Sequence, residues 1–403
     1  MHIWIVNHYA LPPSMMGGTR HYHFARQLKQ RGHDVVLLAA NYNHFSHTFI
    51  DYPSGEMDVS HDVPFIWVPT TAYHGNTVSR FKNMLSFSFR LLQKKNLGSL
   101  LPPDVIIGSS PHLFAAFSAL LLARRYHVPF VFEVRDLWPE SLVALGKISS
   151  YHPVMMLMKV IEKYLYRHAD RLITLLPHAD HYFIKHGTRQ EHITYLPNAI
   201  DSDAVPKHFA NSAREDIFTL IYAGAHGLAN DLDTVVHAAK ILQSMSLVKP
   251  IRICLIGEGP EKARLIQLAQ DLNVLDMVSF QGAVPKSDIY PILNGANAFL
   301  MLLKKSPVFQ WGISPNKLFD YFSMGKPIIF GVETPFNPVE KYQAGLSVQP
   351  SDPAALASTI HHLSLLPQGQ REEMGARGKA FVMQHHHIQS LTDKLENMLM
   401  GVV

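Results

Sequence analysis

Ser314-Pro315-Asn316-Lys317-Leu318 joins a polar, aromatic loop to a short apolar-periodic segment that ends in Gly325-Lys326-Pro327. Ser314 reads as a helix N-cap and Pro315 as the first helical residue. Leu318, Phe319 and Phe322 give the helix an apolar face, Gly325 fits its stop, and Ile328–Val332 reads as a buried strand. A lysine in the first turn meets the positive end of the helix macrodipole, where a surface helix would carry an acid. A helix start that holds an anion would carry a lysine. The bland alternative pairs Lys317 with Asp320, three residues on, or leaves it in solvent.

Four more strand-to-helix loops have residues suited to chemistry. In "NHYALPPSMMGGTR", Gly17, Gly18 and Arg20 open a helix, and paired glycines allow a ligand close to the backbone. This is not the G-x-G-x-x-G fingerprint, and the second strand ends in "LLAANYN" without an acid, which disfavours NAD. In "FEVRDLWPES", Arg135, Asp136 and Glu140 directly follow a buried strand; an internal Arg–Asp pair is the alternative. Gly224 and Gly227 in "YAGAHGLANDLD" sit where a phosphate-approaching turn would. Gly257 belongs to the tight turn "IGEGPEKARL", whose helix starts near Pro260.

The elements that position these loops alternate strand and helix from end to end. Their strands are continuous apolar runs, as in parallel sheets covered on both faces. One series runs from "IWIVN" at Ile3 to "ITYLPN" at Ile193, and a second from "FTLIYAG" at Phe218 to "LSVQP" at Leu346. The fold class expected is α/β, with two doubly wound Rossmann-like domains facing a cleft. Polar Asn198–Asp216 is the expected linker. The domains are expected at residues 1–200 and 201–380, with a C-terminal helix, 381–403, packing back on the first.

The bulk numbers exclude several classes. With 403 residues, 47% of them hydrophobic, the chain can bury large cores. A net charge of +4 and 17% charged residues give no basic face for nucleic acid. The single cysteine, Cys254, lies in an apolar run and suits a reducing compartment. "MHIWIVNHY" lacks the basic start of a secretory signal, and the apolar stretch at His112 is too short to span a bilayer. "HHH" at His385–His387 and the His178/His181 pair read better as solvated or capping histidines than as metal ligands. Asp201-Ser-Asp203 falls in the linker, and Asp231-Leu-Asp233 starts a helix, where Asp serves as a cap; no metal is expected at either.

In order and content these loops resemble a GT-B glycosyltransferase of family 4, closest to the bacterial branch that makes O-antigen, capsule and related surface polysaccharides, with fucosamine transferases among its members. The resembling stretches run over essentially the whole chain, and "GISPNKLFDYFSMGKPII" is the most specific. The resemblance implies a retaining enzyme that takes a sugar of hexosyl or N-acetylhexosaminyl type from a nucleotide diphosphate-sugar, UDP-linked by analogy. The acceptor would be a glycan or a polyprenyl-linked lipid, with no metal or other cofactor. The family's ribose-binding glutamate falls on Asp320, and its first glutamate falls on Gly312. A catalytic histidine found in many members falls on Arg135, and the diphosphate-gripping Arg-x4-Lys pair falls on Ala225 and Asn230. Arg135, Asp136 and Lys317 are the catalytic candidates. The donor-binding candidates are Gly17, Gly18, Arg20, Gly224, Gly227 and Gly257, together with Ser314, Asn316, Lys317, Leu318 and Asp320. A sugar-nucleotide 2-epimerase of the same fold, or a two-lobed sugar-binding protein, is the alternative.

Arg80–Leu101 interleaves Phe81, Met84, Leu85, Phe89 and Leu92 with Arg80, Lys82, Arg90, Lys94 and Lys95. Such a stretch lies in a lipid interface or is a core helix with a basic edge. The expected location is cytoplasmic, on the inner face of the cell membrane.

Overall fold

A computed structural model describes residues 1–15, 17–44, 46–73, 75, 78–98, 100–144, 149, 151–201, 214–286 and 288–403. The chain divides into two compact units, Met1–Asn198 with Ile388–Val403, and Ala199–His387.

The first unit is built on β1 (His2–Val6), β2 (Asp34–Ala40), β3 (Met57–Asp58), β4 (Phe65–Val68), β5 (Val105–Ser109), β6 (Phe130–Val134), β7 (Arg171–Thr174) and β8 (Ile193–Tyr195). Their order is β3-β4-β2-β1-β5-β6-β7-β8, parallel throughout except for β3. Two-residue β3 is too short to show a period, and sequence reading passes over it. The helices are α1 (Arg20–Gln30), α2 (Val78–Leu91), α3 (Leu113–Tyr126), α4 (Glu140–Ala144), α5 (Pro153–His168) and α6 (Asp180–Lys185). Strand order reverses at β1/β5, so right-handed crossovers put α1 on one face and α2, α3 and α5, packed side by side, on the other. Apolar nearly all round, α3 is buried between its two neighbours.

The second unit carries β9 (Phe218–Ala223), β10 (Ile251–Ile256), β11 (Val278–Gln281), β12 (Ala298–Leu302), β13 (Ile328–Gly331) and β14 (Gly345–Ser347). They pair in the parallel order β11-β10-β9-β12-β13-β14, which reverses at β9/β12. Helices α7 (Leu232–Gln243), α8 (Lys262–Asp271), α9 (Ile289–Asn294), α10 (Asn316–Ser323), α11 (Pro338–Lys341), α12 (Pro353–Leu365) and α13 (Gln368–His385) complete it. Cys254 is half-buried on β10 and packs against the core of this unit.

The helical tail is two helices. After α13 the chain turns at His386–His387, and α14 (Ile388–Met400) packs on α1 in the first unit. There Arg31 meets Glu396 at 2.7 Å and His33 meets it at 2.8 Å. Most of the expected linker, with Asp203, lies outside the described residues. On α2, Met84 is buried and Phe81 sets its edge on Phe114 at 5.4 Å, while Leu85 and Phe89 are exposed, so the stripe expected at a lipid interface is divided between core and solvent.

Candidate active-site loops

In the second unit the loops of interest flank the β9/β12 reversal, the usual ligand site of a doubly wound sheet. Two glycine turns lie against each other there. Gly224 N donates to Ile256 O at 2.9 Å and His226 N to Glu258 O at 2.8 Å. A Cβ on Gly257, where φ is +147°, would stand 1.9 Å from Gly224 O; on Gly259 it would stand 2.4 Å from His226 O. Gly257, expected to touch a donor, is thus required by backbone packing. Buried His226 is held neutral, its pKa lowered to about 4 by desolvation and by Lys262 and Lys317 nearby.

Helix α10 begins at Asn316, with Pro315 at the N-cap position and no side-chain cap. Ser314 is therefore not the cap expected of it: the helix opens later, because Pro315 keeps an extended ψ of 129°. Lys317 remains in the first turn. Its ammonium donates to Tyr222 Oη at 2.8 Å and Asn230 Oδ1 at 2.7 Å, and lies 4.2 Å over the Tyr222 ring. A Cβ on Gly224 would stand 3.1 Å from Tyr222 Oη and 3.3 Å from Lys317 Nζ, so this glycine lets both side chains close on the turn. Gly227 caps the short turn that presents Asn230. Among the described residues no carboxylate pairs with Lys317, and desolvation lowers its pKa to about 7. Asp320 does not pair with it; its carboxylate takes Lys286 and the Tyr290 hydroxyl, the latter at 3.2 Å. In the first turn of α10, Leu318 N is already spent on Pro315 O at 3.1 Å, and the Leu318 side chain is buried in the core.

Two departures from the family pattern have structural reasons. Gly312, where the first glutamate would fall, has φ +95°, a conformation that strains any side-chain-bearing residue. Asn230, at the family's lysine position, instead accepts from Lys317. The acidic pair near this loop is spoken for. Asp231, in a left-handed conformation, does not cap α7 as expected but accepts from Ser351 N and Oγ at 2.9 and 3.1 Å. Asp233 pairs with Lys304 at 3.2 Å.

In the first unit, Gly17 and Gly18 lie in the loop before α1, and nothing stands within 4 Å of a Cβ on Gly18. Arg20, expected among the donor contacts, is committed elsewhere. Buried beneath the sheet's carboxyl edge, its Nε and Nη2 donate to Glu133 Oε2 at 3.1 and 2.9 Å, and its Nη groups to Leu196 O and Pro197 O at 2.9 and 2.5 Å. His21 Nε2 and Ser109 Oγ meet Glu133 Oε1 at 2.7 and 2.8 Å. Burial alone would raise the Glu133 carboxyl, but Arg20 and His21 hold it well below the usual range. Sequence reading missed Glu133; a lone acid inside the apolar run "FVFEV" was the available signal.

Beyond Glu133, Ser110 ties two loops together. Arg135 N donates to Ser110 Oγ at 2.8 Å, and Asn7 Nδ2 to Ser110 O at 2.9 Å. Asp136 is exposed, and no hydrogen-bonded pair joins it to Arg135 among the described residues. Desolvation shifts its carboxyl upward, against the Arg135 charge. Next to them, His8 Nδ1 and His112 Nε2 meet at 2.9 Å. Desolvation lowers the His112 pKa to about 3, so this pair is neutral.

Two family models match the chain, one described as a glycosyl transferase 4-like domain over residues 17–199 and one as glycosyl transferases group 1 over residues 205–381. The chain belongs to this glycosyltransferase family. It is 24% identical over 282 residues to the putative colanic acid biosynthesis glycosyl transferase WcaI of Escherichia coli, covering 66% of this chain and 67% of that one. It is 27% identical over 156 residues to the lipopolysaccharide core biosynthesis glycosyltransferase LpsD of Rhizobium meliloti, covering 38% and 43%. The fold is like that of sucrose-phosphate synthase from Thermosynechococcus elongatus, with a TM-score of 0.76 and 16% identity over 99% and 98% of the two chains. Anabaena HepE, solved with UDP and glucose, superposes with a TM-score of 0.70 at 12% identity over 100% of both chains. The architecture is GT-B.

Proposed function

We propose that the chain is a retaining transferase of a hexosyl or N-acetylhexosaminyl group, moving it from a UDP-sugar to a glycan or polyprenyl-linked acceptor in bacterial surface polysaccharide synthesis. Lys317 carries this reading. It is a lysine with no carboxylate partner among the described residues, set in a helix first turn against the Gly224 turn at the sheet's reversal point. Cleaving the bond to a nucleoside diphosphate leaves negative charge on the leaving oxygens, and an ammonium aimed at them stabilises it. Asp320 is the acid for the ribose hydroxyls, held ready by Lys286 and Tyr290. The names of WcaI and LpsD support the polysaccharide setting, and the UDP bound to HepE supports the base. Arg135 and Asp136 serve the acceptor side, since they stand on the unit that lacks Lys317.

Incubation of UDP-sugars with and without a lipid-linked oligosaccharide acceptor tests it. Acceptor-dependent release of UDP, with the anomeric configuration kept in the product, is expected. Interconversion of the nucleotide sugar with no acceptor present would establish the epimerase instead.

A further inference from the structure

A cavity of about 430 Å³ opens at the carboxyl ends of β13 and β14, against α11 and α12. It lies apart from the Lys317 corner. Neither β9 nor β12, the strands of the reversal, contributes to it, and Tyr222, Gly224, Asn230, Lys317 and Asp320 are all absent from its wall. Its size falls in the range of small-molecule sites, about 300–1,000 Å³. The helices that wall it are fixed at their starts. Pro338 and Pro353 open α11 and α12, Asn337 caps α11 by accepting from Val339 N and Glu340 N at 3.0 and 3.2 Å, and Asp352 caps α12 by accepting from Ala355 N at 2.9 Å.

The chemistry of the wall selects the ligand. Phe330 and Val348 make part of it apolar. Thr334 Oγ1 is buried and has no hydrogen-bond partner among the described residues, a cost that a ligand hydroxyl would remove. Asn337 Nδ2 donates to Ser347 Oγ at 2.7 Å, so the Ser347 hydroxyl keeps its own proton to donate. Glu340 adds a carboxylate that accepts from hydroxyls. No lysine, arginine or histidine lines the cavity, so nothing there would hold a phosphate or a carboxylate. Among the described residues no three His, Cys, Asp or Glu side chains converge as a metal site would need.

We propose that this cavity binds an uncharged mono- or disaccharide, in a site of the second unit separate from the nucleotide corner. The C–H face of a sugar ring covers the apolar wall, and its hydroxyls meet Thr334, Ser347 and Glu340. Carbohydrate is the ligand class that joins apolar faces and many hydroxyls in one small neutral molecule. No residue of the Lys317 corner is used, so the inference stands apart from the donor assignment.

Saturation-transfer NMR of the full chain with lactose, cellobiose, maltose and N,N′-diacetylchitobiose tests it, with glucose 6-phosphate as the anionic control. Transfer to at least one neutral disaccharide is expected, and it should persist with UDP in excess. Thr334→Val should weaken that disaccharide's binding by about fivefold, the loss of one hydrogen bond. Ala355→Leu, which fills the cavity from α12, should abolish it. Circular dichroism and the melting temperature show whether both variants are folded. Calorimetry with UDP reads the nucleotide corner separately, so failure of one site is not mistaken for failure of the other. No transfer to any neutral disaccharide overturns the proposal. So does transfer that both substitutions leave unchanged, that UDP displaces, or that glucose 6-phosphate exceeds.

Discussion

The Lys317 ammonium stands 2.7 Å from Asn230 Oδ1, across 87 residues of sequence. Asn230 occupies the position where the family pattern puts a diphosphate-gripping lysine. A cation reaches that corner all the same, but from the first turn of α10. Replacing Lys317 by Ala should lower affinity for UDP by about 1.5–3 kcal/mol in a calorimetric titration. Adding Asn230→Lys to that variant should restore a large part of the loss, because the charge returns to the same corner by the other route. If the double variant binds no better than the single one, the exchange of positions is wrong.

Lys317 also sets a pH dependence. Desolvation lowers its pKa to about 7 in the unliganded protein, and a bound diphosphate would raise it again. The bound state then holds the proton more tightly than the unbound state, so affinity is complete below pH 7. It falls as pH rises beyond 7, by up to about tenfold per unit. Titrations in buffers of different ionisation enthalpy should show proton uptake on binding at pH 8. In Lys317→Ala that uptake should vanish.

Asp136→Asn should lower turnover by about 10²-fold or more while leaving UDP affinity unchanged. Arg135 and Asp136 are on the first unit, and the Lys317 corner is on the second. Parallel loss of UDP binding and turnover would show instead that the pair is structural.

Arg20 makes the opposite prediction. Its guanidinium is buried on Glu133 and on the carbonyls of Leu196 and Pro197. Arg20→Ala would leave a buried carboxylate unpaired and should cost about 3–5 kcal/mol of stability in urea unfolding. UDP affinity of the folded fraction should not change.

Gly257→Ala should destabilise the second unit by about 1–3 kcal/mol or more, since the new methyl would meet Gly224 O at 1.9 Å with φ at +147°. A lowered melting temperature without UDP checks this.

Periodicity suffices for both sheets because parallel strands buried on two faces are continuous apolar runs that polar loops punctuate. It fails for β3, which is too short, and it does not show the break at His386–His387, where no proline or glycine marks the turn. In the loops, residue type suggested a role more readily than a partner. Lys317 stood out because its charge opposes the helix dipole. Arg20 stood out because it opens a helix behind paired glycines, yet its partner is 113 residues away on β6 and its charge is consumed there. Gly257 and Gly224 look alike in sequence, but one packs on a backbone carbonyl and the other on the side chains of Tyr222 and Lys317. Such differences depend on which strand ends become neighbours, which local pattern does not encode.

The placement of α14 bears on how the molecule can be taken apart. The chain passes between the two units twice, after Asn198 and after His387, and the two passages meet where Ile200 N donates to His386 O at 2.7 Å. The first unit is thus assembled from both ends of the sequence. A fragment cut at residue 198 would leave the α1 surface that α14 covers bare and Arg31 and His33 without Glu396. A graft of this unit onto another donor half must therefore carry residues 388–403 with it, which makes the second unit the insertable module and the first unit its host.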